Sequence, residues 1–198
     1  MICIGQINAK KLMINLKIID NTWTLFLDRD GVINDEKHLD YIHTWEEFRF
    51  YDGVKEAIAI FAKIFNRIVV VTNQRGIGRG VTLLQNVELI HTNMVAEIET
   101  AGGRIDAVYF CADTEDESPN RKPNTGMGLQ AIKDFREIDV TRSIMVGNTI
   151  SDMQFGRNLG VQTIFLTTNH PEVDLQDDRI DAVYNSLISF ANALQIQR

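Results

Sequence analysis

Short, nearly continuous apolar runs recur along the chain, and stretches with apolar residues at helical spacing separate them. Trp23-Thr-Leu-Phe-Leu-Asp28 and Ile68-Val-Val-Val-Thr72 are runs of this kind. They end in polar and glycine residues, which predicts strands buried on both faces rather than half-exposed ones. Between them, Val54, Ala57, Ile58, Phe61, Ile64 and Phe65 fall on one helical face, so a helix is predicted over Gly53 to Phe65. The alternation continues with a helix from about Thr82 to Ala101, stopped by Gly102 and Gly103, and a strand from Ile105 to Cys111. A polar loop from Ala112 to Thr125, a helix from Gly126 to about Glu137 and a strand from Ser143 to Val146 follow. A short helix from Ser151 to Leu159, a strand from Gln162 to Leu166, a loop at Asn169 to Asp178, a short strand at Asp181 to Tyr184 and a closing helix complete the pattern. Buried strands alternating with helices predict an α/β fold, a Rossmann-like three-layer sandwich around a parallel sheet.

Composition narrows the function. The chain has 198 residues, 44% hydrophobic and 24% charged, which fits one globular domain over residues 23–198 with an N-terminal extension over residues 1–22. Asp plus Glu number 27 against 20 for Lys plus Arg, a net charge of −7 that argues against a nucleic-acid partner. The two cysteines, Cys3 and Cys111, point to a reducing compartment. The apolar run Met1 to Gly5 is followed, not preceded, by Lys10 and Lys11, the wrong order for a secretory signal, and Met13 is a second plausible start. No apolar run approaches the roughly 20 residues of a membrane span. A soluble, cytoplasmic protein without a membrane partner is expected, acting as a monomer or weak dimer.

In open α/β sheets ligands bind beyond the carboxyl ends of the strands, so the residues after each strand carry the chemistry. Those segments read Asp28-Arg-Asp30-Gly-Val-Ile-Asn34, Thr72-Asn-Gln-Arg75-Gly76, a loop containing Arg121-Lys122-Pro123, and Gly147-Asn148-Thr-Ile-Ser-Asp152. Asp28 and Asp30 can face one pocket if the chain turns at Gly31, and such hard oxygen donors suit Mg²⁺. Thr72 and the residues after it, Asn73, Gln74 and Arg75, are placed to meet a phosphate, and Lys122 offers a compact cation for the same dianion. Asp28 is the candidate nucleophile for an aspartyl-phosphate intermediate, with Asp30 as acid and base. Asn148 and Asp152 are the further candidate metal ligands. Gly76-Ile-Gly-Arg-Gly80 lacks both the Gly-Lys-Ser/Thr ending of a P-loop and the spacing of a dinucleotide fingerprint, so a flexible strand-to-helix loop is predicted there. His38 and His43 fall in the loop after the first motif, where a leaving group would lie, whereas His91, on a helical stretch, reads as packing or surface.

Four ordered stretches, Phe26 to Asn34, Val69 to Gly80, Arg121-Lys-Pro123 with Gly126-Met127, and Met145 to Met153, resemble the motifs of the haloacid dehalogenase (HAD) superfamily. They are most similar to its histidinol-phosphatase and heptose-bisphosphate-phosphatase branch. The resemblance implies minimal capping, Mg²⁺ dependence and a small phosphorylated sugar or related metabolite as substrate. It implies Asp28 as nucleophile, Asp30 as acid/base and as a metal ligand through its backbone carbonyl, Thr72 and Lys122 on the phosphoryl group, and Arg121 in substrate recognition.

Two departures from that pattern shape the expectations. The branch often carries a structural zinc loop, but Asp113, Ser118 and Asn120 stand where three of its ligands would be and only Cys111 remains, so no zinc is expected and hydrogen bonds should hold the loop. The fourth motif usually begins Gly-Asp, and Asn148 keeps an oxygen donor while removing one negative charge. D-glycero-D-manno-heptose 1,7-bisphosphate is the substrate the resemblance favours, with histidinol phosphate as the alternative. A silent phosphate-binding regulator and a phosphotransferase are the competing classes.

Overall fold

In a computed structural model of the chain, residues 14–197 are described. The apolar run at Met1 to Gly5, Cys3, Lys10, Lys11 and Met13 lie outside the described residues. Six parallel strands form one sheet: β1 (Thr24–Leu27), β2 (Arg67–Asn73), β3 (Ala107–Cys111), β4 (Ser143–Gly147), β5 (Gln162–Leu166) and β6 (Ala182–Tyr184). Their spatial order is β3-β2-β1-β4-β5-β6. The chain therefore runs outward from β1 to β3, returns to β4 on the other side of β1, and runs outward again. The strand order reverses between β1 and β4, and a crevice opens there at the carboxyl ends of the strands.

Every residue of β1 and β4 is buried, as the unbroken apolar runs require when helices cover both faces of a sheet. Alternate residues serve opposite layers. Leu25, Leu27, Ile68, Val70, Ile144 and Val146 pack in one cluster with α1 (Val54–Phe61), α3 (Leu84–Thr100) and α6 (Leu187–Ile196). Phe26, Val69, Val71 and Met145 face the other way, against Met127 and Ala131 of α4 (Gly126–Asp134) and Phe155 and Leu159 of α5 (Ile150–Leu159). Met127 and Met153 are both core residues. The three-layer sandwich is the architecture expected from the sequence.

The differences are local. The predicted helix over Gly53 to Phe65 ends at Phe61, and the chain leaves through a turn that lets Asn66 N–H donate to the Trp23 carbonyl at 2.8 Å. The glycine loop expected to be flexible instead forms one helical turn, α2 (Arg75–Gly78), because the Gly76 carbonyl accepts from both Val81 and Thr82 N–H at 3.0 Å. Of the expected extension, residues 14–22 pack on the domain, with Ile19 buried and Ile14 and Leu16 against the main core. Among the described residues no helix is long and apolar enough to cross a membrane.

Phe26 is fully buried at the centre of the sheet, paired with Val69 and Met145 on its two sides. Truncation there removes ring contacts to both neighbours and to the helix layer. Phe26→Ala should lower the unfolding free energy by about 3–5 kcal/mol, measured by urea denaturation, without changing the strand order.

Candidate active site

The site begins where β1 ends. Asp28 N–H still bonds the Val146 carbonyl at 3.0 Å, so the β1–β4 ladder carries this residue into the crevice. The chain then turns sharply: Gly31 has φ +80° and donates its N–H to the Asn34 carbonyl at 2.8 Å. A Cβ at Gly31 would lie 1.9 Å from Asn148 Nδ2, so a bare backbone here admits the Asn148 side chain over the turn.

Lys122 is the centre of the charge arrangement. Its ammonium, almost fully buried, lies 2.8 Å from Asp28 Oδ1 and 2.6 Å from Asp152 Oδ1. Burial works against its charge, but Asp152 and Asp28 outweigh burial and hold the Lys122 pKa above its ordinary value. Burial pushes the Asp28 carboxyl up to about 7, against the pull of Lys122 and with the charge of Asp152 adding to the rise. Asn73 positions the lysine: its Nδ2 donates to the Lys122 carbonyl at 3.1 Å and its Oδ1 accepts from Lys122 N–H at 3.0 Å.

Asp30 is oriented by a second, separate set of donors. Arg29, with no exposed surface, donates from Nη2 to both its oxygens at 2.8 and 2.9 Å, Asn34 Nδ2 donates at 2.9 Å and Gln74 Nε2 donates at 2.9 Å. Burial alone would raise this carboxyl, yet Arg29 and the amide donors together hold it below its ordinary value. Behind Arg29, His91 of α3 lies with Nε2 3.0 Å from Nη1. Burial and the adjacent guanidinium push the His91 pKa down to about 3, so the ring is neutral.

The crevice brings Asp28, Asp30, Thr72, Lys122 and Asn148 together, and the side chains beside them are engaged in contacts within the protein. Asn73 and Gln74 were expected to touch substrate, but Asn73 clasps the Lys122 backbone and Gln74 bridges Asp30 and Thr72 Oγ1, the latter at 2.9 Å. Both side chains turn inward because buried donors and acceptors there must be paired. Asp152 was expected as a metal ligand. Its Oδ1 is taken by Lys122, and its Oδ2 accepts from Thr149 N–H and Oγ1 in the box that caps α5.

Arg75 and Arg121 converge on Asp116, at 2.6 and 3.1 Å, and each keeps one buried nitrogen, Nε of Arg75 and Nη1 of Arg121, without a partner. His43 ties its loop to Thr82 Oγ1 at 2.7 Å and lies 3.1 Å from Asp40. The loop from Ala112 to Thr125 is laced by hydrogen bonds, with Ser118 Oγ donating to Asp113 and Asn124 Nδ2 donating to the carbonyls of Asp116 and Ser118 at 3.0 and 2.9 Å. Cys111 Sγ lies 3.9 Å from Ser118 Oγ.

Arg29, Asn34 and His91 join the site without being among the residues its motifs point to. A guanidinium between two aspartates at the end of a buried strand is the available signal for Arg29. Nothing in the spacing of α3 marks His91.

Fold and site together define a phosphatase of the HAD type. A family model described as polynucleotide kinase 3 phosphatase matches residues 24–196. The D-glycero-D-manno-heptose-1,7-bisphosphate 7-phosphatase of Chlorobaculum tepidum is 36% identical over 172 residues, covering 79% of this chain and 84% of that protein. The D-glycero-alpha-D-manno-heptose-1,7-bisphosphate 7-phosphatase of Burkholderia mallei is 40% identical over 150 residues, covering 72% and 78%. A solved D,D-heptose 1,7-bisphosphate phosphatase from B. bronchiseptica, complexed with magnesium and phosphate, superposes with a TM-score of 0.79 at 24% identity over 89% of this chain and 99% of that one. The chain belongs to this family of HAD-type phosphatases, enzymes that hydrolyse phosphate esters.

Asp28 and His91, whose shifts overlap between pH 3.8 and 6.5, make opposite contributions to stability when divalent cations are chelated. Asp28, at about 7 folded against 3.8 unfolded, gives the folded state the extra proton between those values, so its contribution falls as pH rises through them. His91, at about 3 folded against 6.5 unfolded, gives the unfolded state the extra proton, so its contribution is lost as pH falls below 6.5. Between pH 5 and 6.5 the two should offset each other. Relative to the parent, Asp28→Asn should then gain stability with rising pH and His91→Asn should lose it, each by up to about 1.4 kcal/mol per pH unit in urea denaturation with EDTA.

Proposed function

We propose that the chain is a Mg²⁺-dependent phosphomonoesterase of the cytoplasm, that residues 23–198 are its single catalytic domain, and that it acts as a monomer or weak dimer without a structural zinc. The first substrate to test is D-glycero-D-manno-heptose 1,7-bisphosphate, the compound named in the relatives described above. One observation carries the reading: a buried ammonium, Lys122, held 2.8 Å from the Asp28 carboxylate at the point where strand order reverses. Such a pair binds a phosphoryl group and presents a nucleophile to it in the same place. Arg75 and Arg121, drawn together by Asp116, put two guanidinium groups side by side that suit a second anionic group, as a bisphosphate would bring.

In this reading an Asp28 oxygen attacks phosphorus, and the bond from phosphorus to the sugar oxygen breaks as Asp30 gives that oxygen a proton. Water then attacks the aspartyl phosphate while Asp30 takes its proton, which frees inorganic phosphate and restores Asp28. The proton gained in this second step is the one given to the leaving alcohol in the next turnover. Arg29 keeps Asp30 in the ionised form that the water step needs. Thr72 and Lys122 hold the phosphoryl oxygens.

The donor set fits a hard divalent cation. Asn148 Oδ1 is fully buried without a partner beside the Asp30–Gly31 turn, and few protein oxygens are what Mg²⁺ takes. The Asp28 carboxylate, the Asp30 carbonyl and Asn148 Oδ1 would hold it, with Asp152 supporting through Lys122. When bound, Mg²⁺ supplies the positive charge that keeps Asp28 ionised and neutralises the phosphoryl oxygens.

Phosphate release should be measured with Mg²⁺, and again after EDTA, on the heptose bisphosphate, histidinol phosphate and a 3′-phosphorylated oligonucleotide. The heptose bisphosphate should give the highest kcat/KM, EDTA should abolish release, and Asp28→Asn should lower kcat by about 10³-fold or more while the protein stays folded. Higher kcat/KM on either competitor overturns the substrate assignment. Ligand binding with no release from any ester overturns the catalytic one.

A further inference from the structure

Asn148 stands where a carboxylate would give the cation site one more negative charge, and its surroundings contain a replacement. Its Nδ2 donates to Glu36 Oε1 at 3.3 Å. A carboxylate can only accept, so Glu36 fixes the orientation of the Asn148 amide: nitrogen toward Glu36, oxygen away from it. That oxygen, Asn148 Oδ1, is fully buried and has no partner among the described residues. An orphaned acceptor of this kind costs free energy unless something positive reaches it. Glu36 is itself held in place, with its Oε1 3.2 Å from His170 Nε2, and about a quarter of its side chain is exposed. His170 in turn lies 2.9 Å from Glu172. Gly31, whose missing Cβ lets Asn148 reach this position, completes the packing.

We infer that Glu36 is a positioning residue of the divalent-cation site, orienting Asn148 Oδ1 toward the cation and supplying across the amide the negative charge that Asn148 lacks. The inference rests on the Mg²⁺ reading above and deepens it. Asn148 is a neutral ligand whose polarity is reinforced by a hydrogen-bonded anion, as outer partners reinforce metal ligands elsewhere, where their loss weakens binding by roughly 10- to 100-fold. It also explains how an amide occupies this position without leaving the site a charge short. Two carboxylates in direct contact, at residues 36 and 148, would repel each other in the empty site.

The test is Mg²⁺ affinity measured by titration calorimetry on the whole chain without substrate, so that its readout is independent of turnover. Glu36→Gln should raise the Kd by about 10-fold or more, because the amide no longer fixes orientation or supplies charge. Glu36→Gln combined with Asn148→Asp should recover the Kd to within about threefold of the parent. Glu172→Gln removes an equal charge from the same loop cluster without touching Asn148, and it should leave the Kd unchanged. A Kd for Glu36→Gln within twofold of the parent overturns the inference, as does an equal loss in Glu172→Gln, which would mean general electrostatics only. If Glu36→Gln does not fold, failure of the double variant to bind within threefold of the parent overturns it. Absence of Mg²⁺ binding by the parent chain would instead overturn the metal reading on which the inference depends.

Discussion

One buried ammonium holds the site together. Lys122 bridges Asp28 at the end of β1 and Asp152 in the first turn of α5, so three segments far apart in sequence meet at a single charge. A lysine taken out of water without anions would lose its proton or unfold its surroundings. Here two carboxylates meet it, and Asn73 at the end of β2 grips its backbone through a reciprocal pair of hydrogen bonds. The positions of β1, β2 and α5 are thus tied to the loop that carries Lys122. Removing Lys122 would leave two buried carboxylates without their shared cation, which makes the arrangement cooperative rather than a sum of contacts.

A second cation separates the environments of the two aspartates. Asp28 and Asp30 are two residues apart, yet they face different environments. Asp28 is buried against a lysine already shared with Asp152, and its carboxyl rises to about 7; Asp30 lies against Arg29, Asn34 and Gln74, and its carboxyl falls. With no cation bound, Asp30 is therefore the more readily ionised of the two, and Asp28 needs a further positive charge to shed its proton. His91 extends the second set inward. Its neutral ring fills the space behind Arg29 without adding a competing charge, because burial and the guanidinium both oppose its protonation.

The fold was legible because its central strands are buried on both faces, so runs such as Leu25-Phe-Leu27 and Val69-Val-Val71 carry no exposed positions to blur them. The residues of the crevice were legible because topology places strand ends together whatever the side chains do. Side-chain direction was not legible. Asn73 and Gln74 follow Thr72 as a substrate-binding pair should, but whether each points at the pocket or behind it is settled by which buried groups lack partners, and those groups lie on other segments. Asp152 shows the same limit: its place one turn into a helix suits a metal ligand, a cap and a lysine partner equally. Arg29 and His91 meet only through tertiary structure, 62 positions apart. The one-turn helix α2 escaped notice because its glycines read as freedom, whereas the Gly76 carbonyl is taken up by two backbone donors.

Charge balance explains why such a site calls for a cation from outside the chain. Asp28, Asp30 and Asp152 outnumber the two buried cations set against them, Lys122 and Arg29, and Glu36 stands just beyond Asn148. A phosphate dianion arriving there meets a surface that already carries excess negative charge, in a crevice where low polarity strengthens repulsion. Arg75 and Arg121 lie on the rim and share Asp116, so they relieve little of it. Neutralising the excess with another lysine would compete with Lys122 for Asp28 and weaken the nucleophile. A divalent cation held by oxygen donors would avoid that competition, because its charge would offset the carboxylates and the phosphate alike.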